Sequence, residues 1–131
     1  MANRFLIGTF PLGIESVDLF GIANNSSGYL NLNPDGGSKP FIEVGLISDT
    51  WNFTVSILLH ETLEFLMMRA FVAYRNIGEI FSSMEDRLFV FSHRQLDNIC
   101  DRQALFIASA LPELATAWKN QKKGKKKCPT N

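Results

Sequence analysis

Histidine and cysteine are scarce in this chain, two of each among 131. Cys100 sits in an apolar periodic segment and Cys128 in a lysine-rich tail. Two such cysteines do not make a disulfide framework, and two free thiols fit a reducing compartment. Five prolines and nine glycines, with no repeat, exclude a collagen-like or low-complexity chain. No apolar run is free of charge for the length of a bilayer. The longest, Val55 to Ala73, contains His60, Glu61, Glu64 and Arg69. Met1 to Phe10 lacks the basic start, long apolar stretch and small-residue cleavage site of a secretory signal. The expected location is therefore the cytoplasm.

What remains is ordinary globular composition: 46% hydrophobic, 20% charged, with eleven phenylalanines to fill a core. The length suits one domain. The net charge of zero conceals an asymmetry. All six acid-free lysines of residues 119–131 balance a body, residues 1–118, that holds seven basic and thirteen acidic side chains. A single domain over 1–118 with a disordered lysine-rich tail over 119–131 is the expected organisation. The tail reads first as a solubilising segment. Without interleaved aromatic residues it offers nucleic acid only weak electrostatic contact.

Along the chain, Arg4 to Phe10 reads as a short strand ended by Pro11 and Gly13, and Glu15 to Ile22 as a second. After the turn cluster at residues 24–28, Tyr29 to Asn33 alternates, and Phe41 to Ile47 alternates again beyond a second turn at 34–38. The two runs predict a hairpin. Ser48-Asp49-Thr50 then offers N-cap chemistry for a helix from about Thr50 or Asn52 to Arg75, with Gly78 as its stop signal. Leu88 to Phe91 reads as a possible short strand. Ser92 caps a second helix over His93 to Leu111, and Pro112 begins a further helical stretch to Trp118. The fold class is α+β: a small N-terminal antiparallel or mixed sheet followed by two long packed helices.

One segment carries chemistry. In Leu58-Leu59-His60-Glu61-Thr62-Leu63-Glu64-Phe65, His60 and Glu64 stand four apart, on one helical face. Two metal-binding side chains at that spacing can grip one ion, and Glu61, a step round the helix, can reach a metal-bound water as general base. The pattern is HExxE, with carboxylate as the second ligand type. Its setting matters, because ionised groups inside an apolar helix need pairing, hydrogen bonds or a cation. An ordinary helix pair between His60 and Glu64 is the plain alternative. The third zinc ligand would be His93, at the start of the second helix. There His93, Leu96, Cys100, Ile107 and Leu111 form a stripe expected to pack on the first helix. Asp97 is either a ligand in its place or a partner that orients it. Cys100 reads as a small core residue, and Met67 and Met68 as core filling.

From Gly28 to Trp118 the sequence resembles the small zincin-like proteins of bacteriophages and prophages, minimal relatives of gluzincin-type zinc metallopeptidases. The likeness rests on TVSILLHETLEFL and on FSHRQLDNICDRQALFIASALPELATAW, in that order after a strand. It differs in having Glu64 where the second histidine usually stands, and His93 where the later helix commonly carries a glutamate. The resemblance implies Zn²⁺ held by His60, Glu64 and His93, with Glu61 as general base of a peptidase. Its peptide or protein substrate would pair with Phe41 to Ile47 as an edge strand. Tyr74, Arg69 and Arg94 are candidates by type for stabilising an oxyanion. The alternative is a non-catalytic protein of the same fold that acts by binding another protein.

Overall fold

The computed structural model describes residues 4–32, 39–70, 73–74 and 88–127; for 73–74, 88–89 and 125–127 only the backbone is described. The elements are β1 (Arg4–Leu12), β2 (Glu15–Ile22), β3 (Gly28–Asn31), β4 (Phe41–Gly45), α1 (Trp51–Arg69), β5 (Ala73–Tyr74), β6 (Leu88–Phe89) and α2 (His93–Lys127). This is the α+β arrangement the sequence predicts: a small mixed sheet, then two helices. No helix among the described residues is long and apolar enough to cross a membrane.

β1 and β2 form an antiparallel hairpin in register Leu12↔Glu15, turned by Gly13 at φ +69°. A positive φ at the first central residue of a two-residue turn is what glycine supplies without strain. Pro11 does not end β1, because β1 is an edge strand, where a missing N–H is tolerated. The chain then passes β3 to the far edge and returns as β4 between β2 and β3, giving the order β1-β2-β4-β3. β4 is parallel to β2 and antiparallel to β3. The hairpin predicted across residues 34–38 is present as the β3/β4 pair. The expected edge strand, Phe41 to Ile47, is instead interior, paired on both sides. The edge is β3.

Alternation along the strands decides the core. Val17 and Leu19 of β2 and Ile42 and Val44 of β4 point to one face and are fully buried with Leu12 and Leu46. α1 covers that face with Ile57, Leu58, Phe65 and Leu66, and α2 with Ile99, Phe106, Ala110 and Leu114. Phe106 meets the edge of Phe10 at 5.8 Å. The buried stripe of α2 therefore runs 99–106–110–114, one step round from the expected 93–96–100–107–111, and Cys100 is exposed. Ser92 caps α2 as expected. Its hydroxyl accepts from the Gln95 amide at 3.2 Å while the Gln95 side chain accepts from the Ser92 amide at 2.8 Å, a reciprocal capping box.

α1 begins at Trp51, with Thr50 at the cap position, and ends at Arg69 rather than Arg75. Gly78 lies outside the described residues, as does Cys128. α2 continues without interruption past Pro112 and through the lysine-rich segment to Lys127, so the stretch expected to be disordered is helical that far. Its attachment explains this. Trp118 donates to the Ser48 carbonyl at 3.1 Å, Gln121 to that of Ala23 at 3.2 Å, and Lys122 lies 3.3 Å from Asp49.

A candidate cleft between an edge strand and the HExxE helix

β3 and α1 enclose a cleft of about 480 Å³. Gly28 to Leu32 form one wall, and His60, Glu61, Glu64 and Met68 the other. Three of the four site residues expected from the sequence thus share one cavity. Their order of depth is not the expected one. Glu61 is the buried residue, 8% exposed, while His60 is exposed and Glu64 half-buried. The helical stripe Ile57–Glu61–Glu64–Met68 faces β3, which leaves His60 at the outer rim.

Gly28 makes this approach possible. A Cβ there would stand 2.5 Å from Ile57 Cγ2 and 2.7 Å from Glu61 Oε2. Those separations are closer than real side-chain contacts, so only glycine lets the carboxyl group lie against the strand. The sequence marks Gly28 only as part of a turn. Nothing in its neighbours announces that it would meet a residue on α1.

Glu61 makes no hydrogen bond or ion pair among the described residues. Burial pushes its carboxyl above the usual 4.5, and the neighbouring Glu64 charge adds to the rise while His60 opposes it. A carboxyl so placed can take a cationic partner. The nearest arginine does not supply one. Arg69 is engaged by Glu15 at 2.6 and 3.0 Å and donates to the Leu32 carbonyl at 2.6 Å. That pairing also removes Arg69 from the oxyanion candidates. Arg94 is exposed on α2, and the Tyr74 side chain lies outside the described part.

The β3 wall presents backbone as well as side chains. The Gly45 amide of β4 donates to the Ser27 carbonyl at 2.8 Å, and the Ile47 amide to that of Asn25 at 3.0 Å. In an antiparallel pair this alternation turns residues 27, 29 and 31 toward β4 and the N–H and C=O groups of Gly28 and Leu30 to the outer side. Those outward groups border the cleft.

His93 is not in the cleft. It opens α2 with its side chain 85% exposed, and its Nδ1 lies 3.4 Å from Asp97, itself 67% exposed. The reason is the rotation of α2 noted above: the stripe that packs inward starts at Ile99, and residues 93 and 97 fall outside it. Asp97 does not line the cleft either. Among the described residues, no three of His, Cys, Asp and Glu are grouped so as to hold a metal ion. A zinc site needs at least three protein ligands. The described residues offer His60 and Glu64 and do not complete the set. No protein-family model matches the chain, and comparison with curated proteins and with solved structures gives no match.

Proposed function

We propose that the chain binds an extended peptide segment of another protein, which adds as a fifth strand to the free edge of β3 and passes over the cleft. One observation carries this reading: the outward backbone groups of Gly28 and Leu30, unpaired among the described residues, border the same cavity as His60, Glu61 and Glu64. Strand addition draws its affinity from main-chain hydrogen bonds and its selectivity from pockets that take alternate side chains. The cleft is such a pocket, of a size that holds a side chain with room to spare.

The test uses the full chain and a fluorescent, capped hexapeptide of alternating valine and threonine with one central norleucine. Binding is expected by anisotropy. It should be lost when the peptide amides on one register are N-methylated, and kept when those on the other register are. Equal binding of both methylated forms, or none by the parent peptide, removes the reading.

A second reading, zinc-dependent hydrolysis of such a peptide with Glu61 as base, is favoured by the shared cleft of His60, Glu61 and Glu64. It requires a further ligand from outside the described residues. Stoichiometric zinc in the purified chain, together with peptide cleavage that Glu61→Gln abolishes while zinc is retained, would establish it. Absence of zinc would dismiss it and leave the binding reading intact.

A further inference from the structure

We infer that the cleft selects a basic side chain, lysine or arginine, on the peptide that pairs with β3; this rests on the strand-addition reading. The charge of the cleft is unbalanced. Glu61 and Glu64 both line the cavity, and among the described residues neither has an ion-pair partner. The arginine at the helix end is committed to Glu15 and Leu32. Glu61 is more than nine-tenths buried and has no hydrogen bond among the described residues. Its carboxyl oxygens are not sealed from solvent, so they open to the cavity, where a cationic head can take the place of water.

A second feature shows that the carboxyl is admitted by the strand and not left there by chance. The wall opposite is cut back to glycine at the point where Glu61 Oε2 arrives. The same cleft has hydrocarbon in its lining, from Leu30, Leu32 and Met68. Hydrocarbon and carboxylate in one cleft are complementary to a side chain with a long aliphatic stem and a cationic head. A short cation would leave the apolar wall uncovered, and an acidic side chain would meet two like charges. The peptide's backbone aligns on Gly28 and Leu30, and one of its alternate side chains then projects into the cavity. The ammonium or guanidinium group donates hydrogen bonds to Glu61 and Glu64, with no bond made or broken.

The experiment compares three capped hexapeptides that differ only at the central position: lysine, norleucine and glutamate. Acetylation and amidation leave the side chain as the only charge. The lysine peptide is expected to bind at least about tenfold more tightly than the norleucine peptide, the return on one well-placed charged hydrogen bond, and the glutamate peptide more weakly than either. In the Glu61→Gln/Glu64→Gln chain the lysine-to-norleucine ratio should fall to about one. Lysine and norleucine peptides binding alike to the unaltered chain would overturn the selection and leave strand addition standing. Failure of all three peptides would overturn both. Because the decisive change is made in the peptide, the result does not depend on the variant folding.

Discussion

Glu61 and Thr62 are consecutive residues of α1, both polar, both buried, and they have opposite fates. Thr62 is fully employed. Its hydroxyl donates to the Leu58 carbonyl at 2.8 Å and accepts from the Gln103 side chain at 2.9 Å, and Gln103 also donates to the Leu59 carbonyl at 3.0 Å. This small network fastens α1 to α2. Glu61, one step round the helix, faces β3 with no hydrogen bond among the described residues. Satisfied polar groups on one flank hold the molecule together, and an unsatisfied one on the other is held by it. A fold tolerates the second kind only when the first kind and the core beneath supply the stability, and the difference separates the structural flank of α1 from the flank that faces a cavity.

The comparison can be broken most forcefully at Gly28. Gly28→Val places branched carbon where Ile57 and Glu61 now lie, so it should cost about 1–3 kcal/mol by overpacking and drive the carboxyl out of the cleft. Chemical denaturation with the peptide titration above reads both effects; an unchanged midpoint and unchanged binding would show that the close approach is immaterial. On the satisfied flank, Thr62→Val strands the Gln103 amide contact and should lower stability by about 1–2 kcal/mol. The same substitution at Thr54, whose buried hydroxyl has no hydrogen-bond partner among the described residues, should cost nothing or stabilise. Equal losses at the two threonines would show that the network with Gln103 contributes little.

The smallest effect concerns Glu61 itself and is visible through pH. The folded protein holds the Glu61 proton more tightly than the unfolded chain does, because burial disfavours the anion. Stability from this group is therefore greatest below 4.5 and declines as pH rises from there through the raised folded value. Glu61→Gln removes the penalty, so its melting temperature should exceed that of the parent at pH 8 and approach it at pH 4. A gap that does not vary with pH would mean that the carboxyl is not burdened by burial in the folded state.

The fold was legible from local signals. Apolar runs between turn residues located β1 and β2, alternation located β3 and β4, and Ser92 located the start of α2, because each depends on residues close in sequence. His60, Glu61 and Glu64 were legible as a group for the same reason. What was not legible depends on rotation and pairing. α1 is apolar on nearly every side, leaving even Phe53 and Leu59 exposed, so no polar face in its sequence tells which of His60 or Glu61 turns inward. α2 contains two adjacent stripes of apolar residues, and the one carrying Phe106 and Ala110 won the core; His93 was lost from the site by that choice. The sheet order was hidden because the parallel pairing of β2 with β4 joins strands separated by a third. Arg69 reads as a lone basic residue until Glu15 arrives from the β1–β2 turn.

The missing side chain at position 28 has a consequence for descent. It couples two positions that no local rule connects, since a bulkier residue at 28 and a carboxylate at 61 cannot both keep their places. Lineages descended from this chain should retain the glycine as long as they retain the glutamate. Where one is exchanged the other is freed to drift, and such paired replacement would record, in sequence alone, the loss of the cleft.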